Sequence, residues 1–405
     1  MDSGIPERLT STEVVRFIQE NEQLDEKAFL LKHPTYLGLP STLLAEQIQG
    51  RRKAKTKLPS WFHKQGIIYP PLVSLEQCSS ERTAQYKCER IRHFTGYQIT
   101  GRAVDLTGGF GVDSYFISKI FSSVDYVEPD LRLLEISRHN HRCLGATNIF
   151  YHHSTAEDFL LSDNGPYNLI LADPSRKSAH RSKIVKLQDC RPDVIKLQRH
   201  IYERSDLFVL KASPLHDIKE ALRQLGYITE VNAVAVNNEM RELLFMGLKS
   251  HKDEPVIRAV NLGDEGIEEF CFTFKEEEQA ISHFSGPLTF LYEPNRAILK
   301  AGAFRLISMR FGLHKLHPNT HLYTSHHEVP DFPGRIFKVK QDVSSARQND
   351  SFHFSQKQAN IIIRNYPATV ATLTKKLKIT EGGTEYLIAC TSVEKKHLLL
   401  AERLK

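Results

Sequence analysis

The chain has 405 residues, of which 40% are hydrophobic and 25% charged, and its formal net charge is +6. This length exceeds that of one ordinary domain, and the composition is typical of a globular protein with real cores. It excludes a fibrous or disordered chain, and no apolar run reaches the about 18 residues of a predicted transmembrane helix. The N-terminal residues lack the apolar core of a signal peptide. Scattered cysteines without a C-x-x-C pair are typical of free thiols, so we expect a cytoplasmic protein.

Charge is distributed unevenly along the chain. Lysine and arginine are concentrated in residues 45–95, which include the run GRRKAKTK, and in residues 335–405, whereas residues 251–290 are acidic. Two interpretations stay open: ordinary solvated faces, or basic surfaces that attract phosphates. The net charge by itself is too small to indicate a nucleic-acid-binding protein.

Residues 1–100 are predicted to be a mostly helical region. The segment STLLAEQIQG (41–50) predicts a short helix that ends at Gly50. Ser74 and Gln77 have the spacing of a capping box, which predicts the start of a further helix there. The single tryptophan, Trp61, lies beside the basic run and could be either a core residue or a base-stacking residue.

Residues 101–250 alternate short apolar strands with amphipathic helices, which predicts an α/β domain with a Rossmann-like, mostly parallel sheet covered by helices on both faces. Strands are predicted at 102–106, 123–128, 148–153, 167–173 and 207–212, with a terminal pair near 228–236 and 243–248.

The C-terminal part is predicted to contain small α+β modules. Strand-like CFTF (271–274) comes first, and a strand and a helix follow within GPLTFLYEPNRAILKAGAFRLISMRF. The last block is predicted as a strand at FPGRIFKV, a helix at LTKKLKI, a strand at EYLIAC and a terminal helix. We therefore predict four parts, with the bounds 1–100, 101–250, 251–332 and 333–405.

A glycine turn, LTGGFGVD (106–113), follows the first predicted strand and precedes a helix. Such a turn lets the backbone approach a ligand, but many turns of this kind serve packing alone. The dinucleotide fingerprint needs a third glycine or alanine, and Ser114 stands at that position when Gly109 is counted as the first. A phosphate-binding P-loop motif is absent, so NAD is the less favoured ligand.

Polar residues follow successive predicted strands, at the sheet edge where open α/β sheets bind ligands. Asp105 could receive an ammonium group, and Glu128 could accept both ribose hydroxyls of a nucleoside or merely cap the next helix. A backbone amide and a carboxylate near Ala156 and Asp158 could contact an adenine edge. Asp173, Pro174, Ser175 and Arg176 then follow the fourth strand.

This ordered set resembles the class I S-adenosylmethionine-dependent methyltransferases over roughly residues 74–250. Several segments are more specifically similar to a bacterial family in which that domain is followed by a ferredoxin-like insert and a C-terminal THUMP-like domain. These segments are QCSSERTAQYK (77–87), DLTGGFGVD (105–113), DPSRK (173–177), LKASPLHDI (210–218), LYEPNRAILKAGAF (291–304), HLYTS (321–325), DFPGRIF (331–337) and RNYPATVATLTKKLKITEGGTEYLIA (364–389).

The resemblance implies an enzyme that transfers a methyl group from S-adenosylmethionine. It also implies an RNA substrate, tRNA or rRNA, because THUMP domains are associated with RNA-modifying enzymes. We predict that the cofactor is held by Asp105, Thr107, Gly109, Gly111, Asp113, Glu128, Ala156 and Asp158. Two alternatives stay open: methylation of a small molecule or a protein, and a non-catalytic RNA-binding protein on a methyltransferase fold.

Asp173, Pro174 and Arg176 are the predicted catalytic residues. Asp173 could accept a hydrogen bond from an attacking amine while the Pro174 carbonyl holds the other proton. Related enzymes with a D-P-P-[YF] motif have an aromatic residue where this chain has Arg176, which resembles a D-P-x-R variant and could contact phosphate or stack on a base. Carbon methylation would need a cysteine nucleophile, and Cys190 lacks an activating context, so a nitrogen acceptor is favoured.

Further residues are predicted to bind the substrate. Thr83 and Lys87 share one helix face, which either lines the pocket mouth or packs on the sheet. The basic residues of the last block suit phosphate binding, and they are Arg364, Lys375, Lys376 and Lys378. No metal site is predicted, because the His152-His153 and His326-His327 pairs would point to opposite faces of a strand.

Overall fold

A computed structural model describes residues 7–96, 101–162, 165–176, 186–249, 251–344 and 358–405. It divides into two compact units, one formed by residues 1–229 with 242–253 and the other by residues 230–241 with 254–405. Across the described residues, every helix is too short or too polar to span a lipid bilayer. The four-part division expected from the sequence stays a prediction.

The first unit begins with a helical region, as predicted. After a 3₁₀ turn at Glu7–Thr10, its elements are α1 (Thr12–Glu20), α2 (Glu26–Lys32), the short hairpin β1 (Thr35–Tyr36) and β2 (Leu39–Pro40), α3 (Ser41–Lys57), α4 (Pro59–His63), α5 (Leu72–Gln77) and α6 (Glu81–Thr95). These helices share one hydrophobic core with the sheet that follows, in which Ile48 and Trp61 are fully buried together with Val124 and Leu169. Trp61 is therefore a core residue.

Two predicted helix boundaries are wrong, one because of close packing and the other because a different residue caps the helix. Gly50 does not end α3, which continues to Lys57. A Cβ at Gly50 would lie 2.3 Å from Cβ of Tyr69, so the glycine serves close packing inside the helix. The predicted capping box at Ser74 lies inside α5, and the next helix is capped by Ser80, whose hydroxyl accepts the Thr83 N–H.

The predicted Rossmann-like sheet is confirmed. Its elements are β3 (Arg102–Asp105), α7 (Val112–Ser118), β4 (Ser123–Val127), α8 (Leu131–Cys143), β5 (Ile149–His152), α9 (Ala156–Ser162), β6 (Tyr167–Ala172), the short pair β7 (Ser175–Arg176) and β8 (Cys190–Arg191), α10 (Val194–Arg204), β9 (Ser205–Ala212), α11 (Ile218–Gln224), β10 (Ile228–Val236) and β11 (Glu239–Leu248). Within the first unit the strand order is β11-β9-β6-β3-β4-β5. All of these neighbours are parallel except β9 and β11, which are antiparallel.

The strand order places a topological switch point between β3 and β6. The chain runs from β3 outward through β4 to β5, and it then returns to the other side of β3 as β6, followed by β9. Because ligands of open α/β sheets bind at the carboxyl ends of strands at such a point, Asp105 and Asp173 lie where a ligand is expected.

The second unit is built mainly from strands. Besides β10, its elements are β12 (Val256–Leu262), β13 (Ile267–Phe272), α12 (Phe274–Gln279), β14 (Phe290–Pro294), α13 (Arg296–Ala301), α14 (Leu306–Arg310), β15 (His314–His317), β16 (Thr320–Ser325), β17 (Gly334–Asp342), β18 (Asn360–Arg364), α15 (Val370–Leu377), β19 (Glu385–Thr391) and β20 (Lys396–Arg403). β12 pairs in parallel with β10 and antiparallel with β13. A seven-stranded sheet has the order β15-β16-β14-β17-β20-β19-β18.

The predicted terminal helix is wrong, because this segment is the strand β20. It pairs antiparallel with β19 on one side and with β17 on the other. Leu398 and Leu399 are buried, and so is Ala401. Two-sided ladder pairing and burial override the local helix preference of this Lys-, Leu- and Ala-rich stretch.

Candidate active site

The glycine turn has a conformation that needs glycine at two positions. Gly109 and Gly111 have φ values of +55° and +76°, in the left-handed region. Among the described residues, an added Cβ at Gly109 would meet only the Thr107 carbonyl, at 3.7 Å, which leaves space for a ligand there. At Gly111 the space is filled by His141, whose Nε2 lies 2.8 Å from the Gly111 carbonyl.

Glu128, directly after β4, holds the glycine turn in place by hydrogen bonding. Its Oε2 accepts the Gly109 N–H at 2.9 Å, and its Oε1 accepts the Asp130 N–H at 2.9 Å. Burial raises the pKa of this carboxyl, and the two backbone donors oppose that effect. Because a carboxylate offers about four lone-pair positions, Glu128 can still accept two hydroxyl groups while it holds the turn.

Asp105 lies at the end of β3 and is 2% exposed. Its Oδ2 accepts the Ser114 hydroxyl at 2.6 Å, and its Oδ1 accepts the Thr107 N–H at 3.1 Å. Burial raises the pKa of Asp105 to about 6, against the lowering effect of the Ser114 hydrogen bond. A cationic ligand beside it would stabilise the carboxylate form.

Thr107 links the turn to the end of β6. Its Oγ1 accepts the Asp173 N–H at 2.6 Å, and the same hydroxyl lies 3.4 Å from Asp105 Oδ1. The Asp105 carboxylate and the Asp173 backbone amide are therefore connected through one side chain. This contact sets the backbone position from which the Asp173 side chain projects.

Asp113, in the first turn of α7, forms a buried ion pair with Lys87 of α6. Lys87 Nζ lies 2.7 Å from Asp113 Oδ1 and 3.1 Å from Ser79 Oγ, and Ser79 donates to Asp113 Oδ2 at 2.7 Å. Burial alone would raise the pKa of Asp113, but the charges of Lys87 and Lys211 hold it below its usual value. Lys87 is therefore buried and Asp113 largely buried, and their ion pair links α6 to α7.

Lys211, near the end of β9, lies at the candidate site but is not among the residues predicted from the sequence. Its ammonium forms an ion pair with Asp173 Oδ2. Burial would lower the pKa of Lys211, but the charges of Asp173 and Asp113 raise it well above its usual value. A signal was available, because a lysine inside the apolar strand LFVLKA is rarely buried unless it is paired.

Glu242, in β11, is the second missed residue. It is 2% exposed, and its Oε1 lies 3.5 Å from Lys87 Nζ. This oxygen makes no hydrogen bond to any described residue. Burial raises the pKa of Glu242, against the lowering effect of the Lys87 charge.

The predicted adenine-contacting segment forms the start of α9. Ala156 is buried, and Asp158 is exposed. The Asp158 carboxylate accepts the Thr155 hydroxyl at 2.8 Å, and Thr155 Oγ1 accepts the Asp158 N–H at 3.1 Å. The predicted role of these residues stays a prediction.

The remaining catalytic candidates lie at the edge of the site. Asp173 and Pro174 are half-buried, and β7 begins directly after them. The backbone of Arg176 pairs with Cys190 in β8, while its side chain lies outside the described part of the structure. Cys190 is 1% exposed, which gives no support to a nucleophilic role.

The predicted substrate residues have different surroundings. Thr83 is buried, and its hydroxyl donates to the Ser80 carbonyl at the start of α6. In the second unit, Arg364 Nε lies 2.6 Å from Oε1 of the buried Glu293, which also pairs with Arg335. A second set of basic side chains is exposed on and beside α15, and these are Lys375, Lys376 and Lys378.

No metal cluster is found among the residues that the structure describes. His152 faces Asp125 at 2.6 Å, and His153 faces the Pro129 carbonyl at 2.9 Å. The two neighbouring imidazoles therefore have separate partners.

Comparison with known protein families identifies the two C-terminal modules. A ferredoxin-like domain model matches residues 290–333, and a THUMP domain-like model matches residues 334–403. Both modules occur in the order that the resemblance implied. None of the curated proteins matches the chain.

Comparison with solved structures supports the same organisation. A "putative methyltransferase" from Porphyromonas gingivalis W83 is 29% identical, with a TM-score of 0.82 over 97% of this chain and 98% of that chain. An rRNA methylase from Streptococcus thermophilus is 14% identical, with a TM-score of 0.31 over 40% of this chain and 96% of that one. The whole-chain match and the two family models confirm a methyltransferase-like α/β fold with ferredoxin-like and THUMP-like modules.

Proposed function

We propose that this protein is an S-adenosylmethionine-dependent methyltransferase that acts on RNA. The observation that carries the proposal is the convergence at the switch point of an open glycine turn, Glu128, Asp105 and Asp173. Asp105 and the turn lie at the end of β3, Glu128 follows β4 and Asp173 follows β6, and hydrogen bonds through Thr107 and Gly109 join these three strand ends.

The residues fit the cofactor. Glu128 retains lone pairs for the ribose hydroxyls, and the space beside Gly109 admits a ligand close to the backbone. Asp105 is a buried carboxylate that lacks a positive partner within hydrogen-bond distance among the described residues, which suits an ammonium group. When bound, S-adenosylmethionine would supply an activated methyl group.

The chain's own contribution is to position the acceptor. Methyl transfer from an activated donor depends mainly on in-line placement of the nucleophile. Asp173 is suited to this task, because its backbone is held by Thr107 and its half-exposed carboxylate reaches the edge of the site. We propose Asp173 as the hydrogen-bond acceptor for the attacking group, with the Pro174 carbonyl beside it.

The proposed RNA substrate is supported by the second unit. Residues 334–403 match a THUMP-like model, and α15 presents exposed lysines together with Lys378. Exposed cations of this kind neutralise phosphates of a nucleic-acid backbone.

A transfer assay tests this function. Total RNA from cells in which the gene for this chain is deleted is incubated with the protein and methyl-tritiated S-adenosylmethionine. We expect label in RNA, and a loss of about 100-fold or more for Asp173→Ala, while the exposed Asp206→Asn retains the activity. Label in protein or small molecules alone, or no label at all, would contradict the proposal.

A further inference from the structure

Five ionisable side chains form a buried charge cluster beside the candidate acceptor position. Lys87 pairs with Asp113 and Glu242, and Lys211 pairs with Asp173. The charges of Asp113 and Glu242 also act on Lys211, which joins the two groups into one cluster. Only Asp173 reaches the surface appreciably, with its side chain 35% exposed, whereas the Lys211 side chain is 9% exposed. Asp173 and Lys211 therefore form the outer end of the cluster, and Lys87 and Glu242 form its inner end.

The cluster is costly as a structural device. Each buried charge loses hydration worth several kcal/mol in real proteins, and apolar residues of similar volume are often as good or better for stability. The oxygen of Glu242 without a hydrogen-bond partner adds to this cost. Such an arrangement at a sheet edge points to a chemical task.

Methylation of a nitrogen atom does not require an ammonium donor such as Lys211. A nitrogen acceptor attacks with its single lone pair, and a carboxylate or a carbonyl can hold its N–H groups. An ammonium that donated to the same nitrogen would occupy the attacking lone pair. The ion pair between Lys211 and Asp173 is therefore poorly suited to a nitrogen acceptor.

A hydroxyl acceptor uses both members of the pair. A hydroxyl has one O–H donor and two acceptor lone pairs. Its hydrogen can be donated to the Asp173 carboxylate, and one lone pair can accept from the Lys211 ammonium. The second lone pair remains free to attack the methyl group.

We propose that the acceptor is a hydroxyl held between Asp173 and Lys211, and not a nitrogen. This inference rests on the proposed function, and with RNA as the substrate it identifies the ribose 2′-hydroxyl, which is both a donor and an acceptor. Lys87 and Glu242 form the buried inner end of the cluster and do not reach the surface, so they act as positioning residues for Asp173 and Lys211.

The proposed step transfers one methyl group to the hydroxyl oxygen and releases one proton. A bond forms between the hydroxyl oxygen and the methyl carbon, and the carbon–sulfur bond of the sulfonium donor breaks with its electron pair going to sulfur. The O–H bond breaks, and its proton passes to the Asp173 carboxylate and then to solvent. Lys211 remains an ammonium and stabilises the negative charge that develops on the oxygen.

Alkaline hydrolysis of the labelled RNA tests the acceptor atom. Alkali cleaves RNA through the free 2′-hydroxyl, so a 2′-O-methylated nucleotide leaves an uncleaved linkage. Tritium from the transfer assay should therefore appear in alkali-resistant dinucleotides. Tritium in mononucleotides that carry a methylated base would overturn the hydroxyl assignment and leave the methyltransferase proposal intact, whereas RNA without any tritium would overturn both.

Variants of Lys211 provide a second test. Lys211→Met should lower the transfer rate by about 100-fold or more, the usual effect of removing a donor aimed at developing charge. Lys211→Arg keeps the charge and should retain more of the activity, and the exposed Lys196→Met serves as the control. Calorimetric binding of S-adenosylmethionine should be unchanged in both Lys211 variants. A Lys211→Met protein that binds the cofactor and transfers methyl groups at the normal rate would contradict the proposal.

Discussion

His141 packs against the glycine turn at Gly111. It is fully buried, its Nε2 faces the Gly111 carbonyl at 2.8 Å, and its Nδ1 faces the Tyr151 hydroxyl at 2.9 Å. A Cβ at position 111 would lie 2.5 Å from the imidazole ring. The imidazole therefore requires glycine at 111, and it couples the shape of the turn to the packing of α8.

Burial lowers the pKa of His141 to about 4 from its usual 6.5. As the pH falls below 6.5, the imidazole of the unfolded chain binds a proton while His141 of the folded chain stays neutral. The stability contribution of the neutral His141 is therefore complete above pH 6.5 and is lost as the pH falls toward 4. The shift corresponds to about 3 kcal/mol. His141→Gln should remove this part of the acid sensitivity in urea unfolding between these pH values, although the variant is less stable at neutral pH.

The surface variant His93→Gln is the control, because His93 is exposed. It should unfold with the same pH dependence as the unmodified protein. An unchanged acid slope in His141→Gln would show that the buried imidazole is not the titrating group.

At the residue scale, the sequence predicted the strand-end residues well and the buried cluster poorly. Asp105, Glu128 and Asp173 follow apolar strands, so their meeting at one edge follows from parallel topology. Lys211 and Glu242 depend on the side-by-side pairing of β9 with β6 and β11, which local patterns do not encode. Lys87 was predicted as a substrate-binding residue, and the structure places it in an ion pair with Glu242, which is distant in sequence.

At the element scale, α3 shows that close packing can outweigh helix propensity. Gly50→Ala replaces a poor helix former by the best one, a change worth up to about 1 kcal/mol. The new Cβ would lie 2.3 Å from Cβ of Tyr69, however, and overpacking costs about 1–3 kcal/mol. We expect Gly50→Ala to lower the free energy of unfolding in urea.

Gly226→Ala is a control, because its added Cβ lies 3.6 Å from Gln198 Oε1 and farther from every other described atom beyond its two chain neighbours. This control should unfold at nearly the same urea concentration as the unmodified protein. A Gly50→Ala protein that is more stable than the unmodified one would show that Tyr69 can move aside without cost.

The β20 strand shows where local patterns fail at the same scale. Its sequence favours a helix, and only its two neighbours make it a strand. The strands of the first unit were predictable because short apolar runs alternate with amphipathic helices. In the second unit, the strands predicted at FPGRIFKV and EYLIAC correspond to β17 and β19, whereas β20 depends on its contacts with these two strands, one of which is distant in sequence.

At the scale of the whole molecule, catalysis is proposed for the first unit and RNA binding for the second. Replacing Lys375, Lys376 and Lys378 by alanine should weaken RNA binding. Each lost phosphate contact reduces the slope of log affinity against log salt by about 0.7 for single-stranded RNA. Filter binding at several salt concentrations measures both effects.

A triple alanine variant of exposed lysines in the first unit, Lys27, Lys32 and Lys196, is the control of equal charge. It should bind RNA with the slope of the unmodified protein. Equal losses in both triple variants would show that net charge, and not the surface around α15, determines the affinity.

Titration calorimetry with S-adenosylmethionine is the most direct test of a cofactor site at the glycine turn. We expect the unmodified protein to bind in the micromolar range and Glu128→Ala to lose a few kcal/mol, because hydrogen bonds to charged groups are worth about 1.5–3 kcal/mol each. Glu135→Ala, in the helix that follows, should bind normally. Since Glu128 also fastens the turn, urea unfolding of the variant shows whether its fold is retained. Absence of binding by the unmodified protein, or normal binding by a folded Glu128→Ala variant, would contradict a cofactor site at the glycine turn.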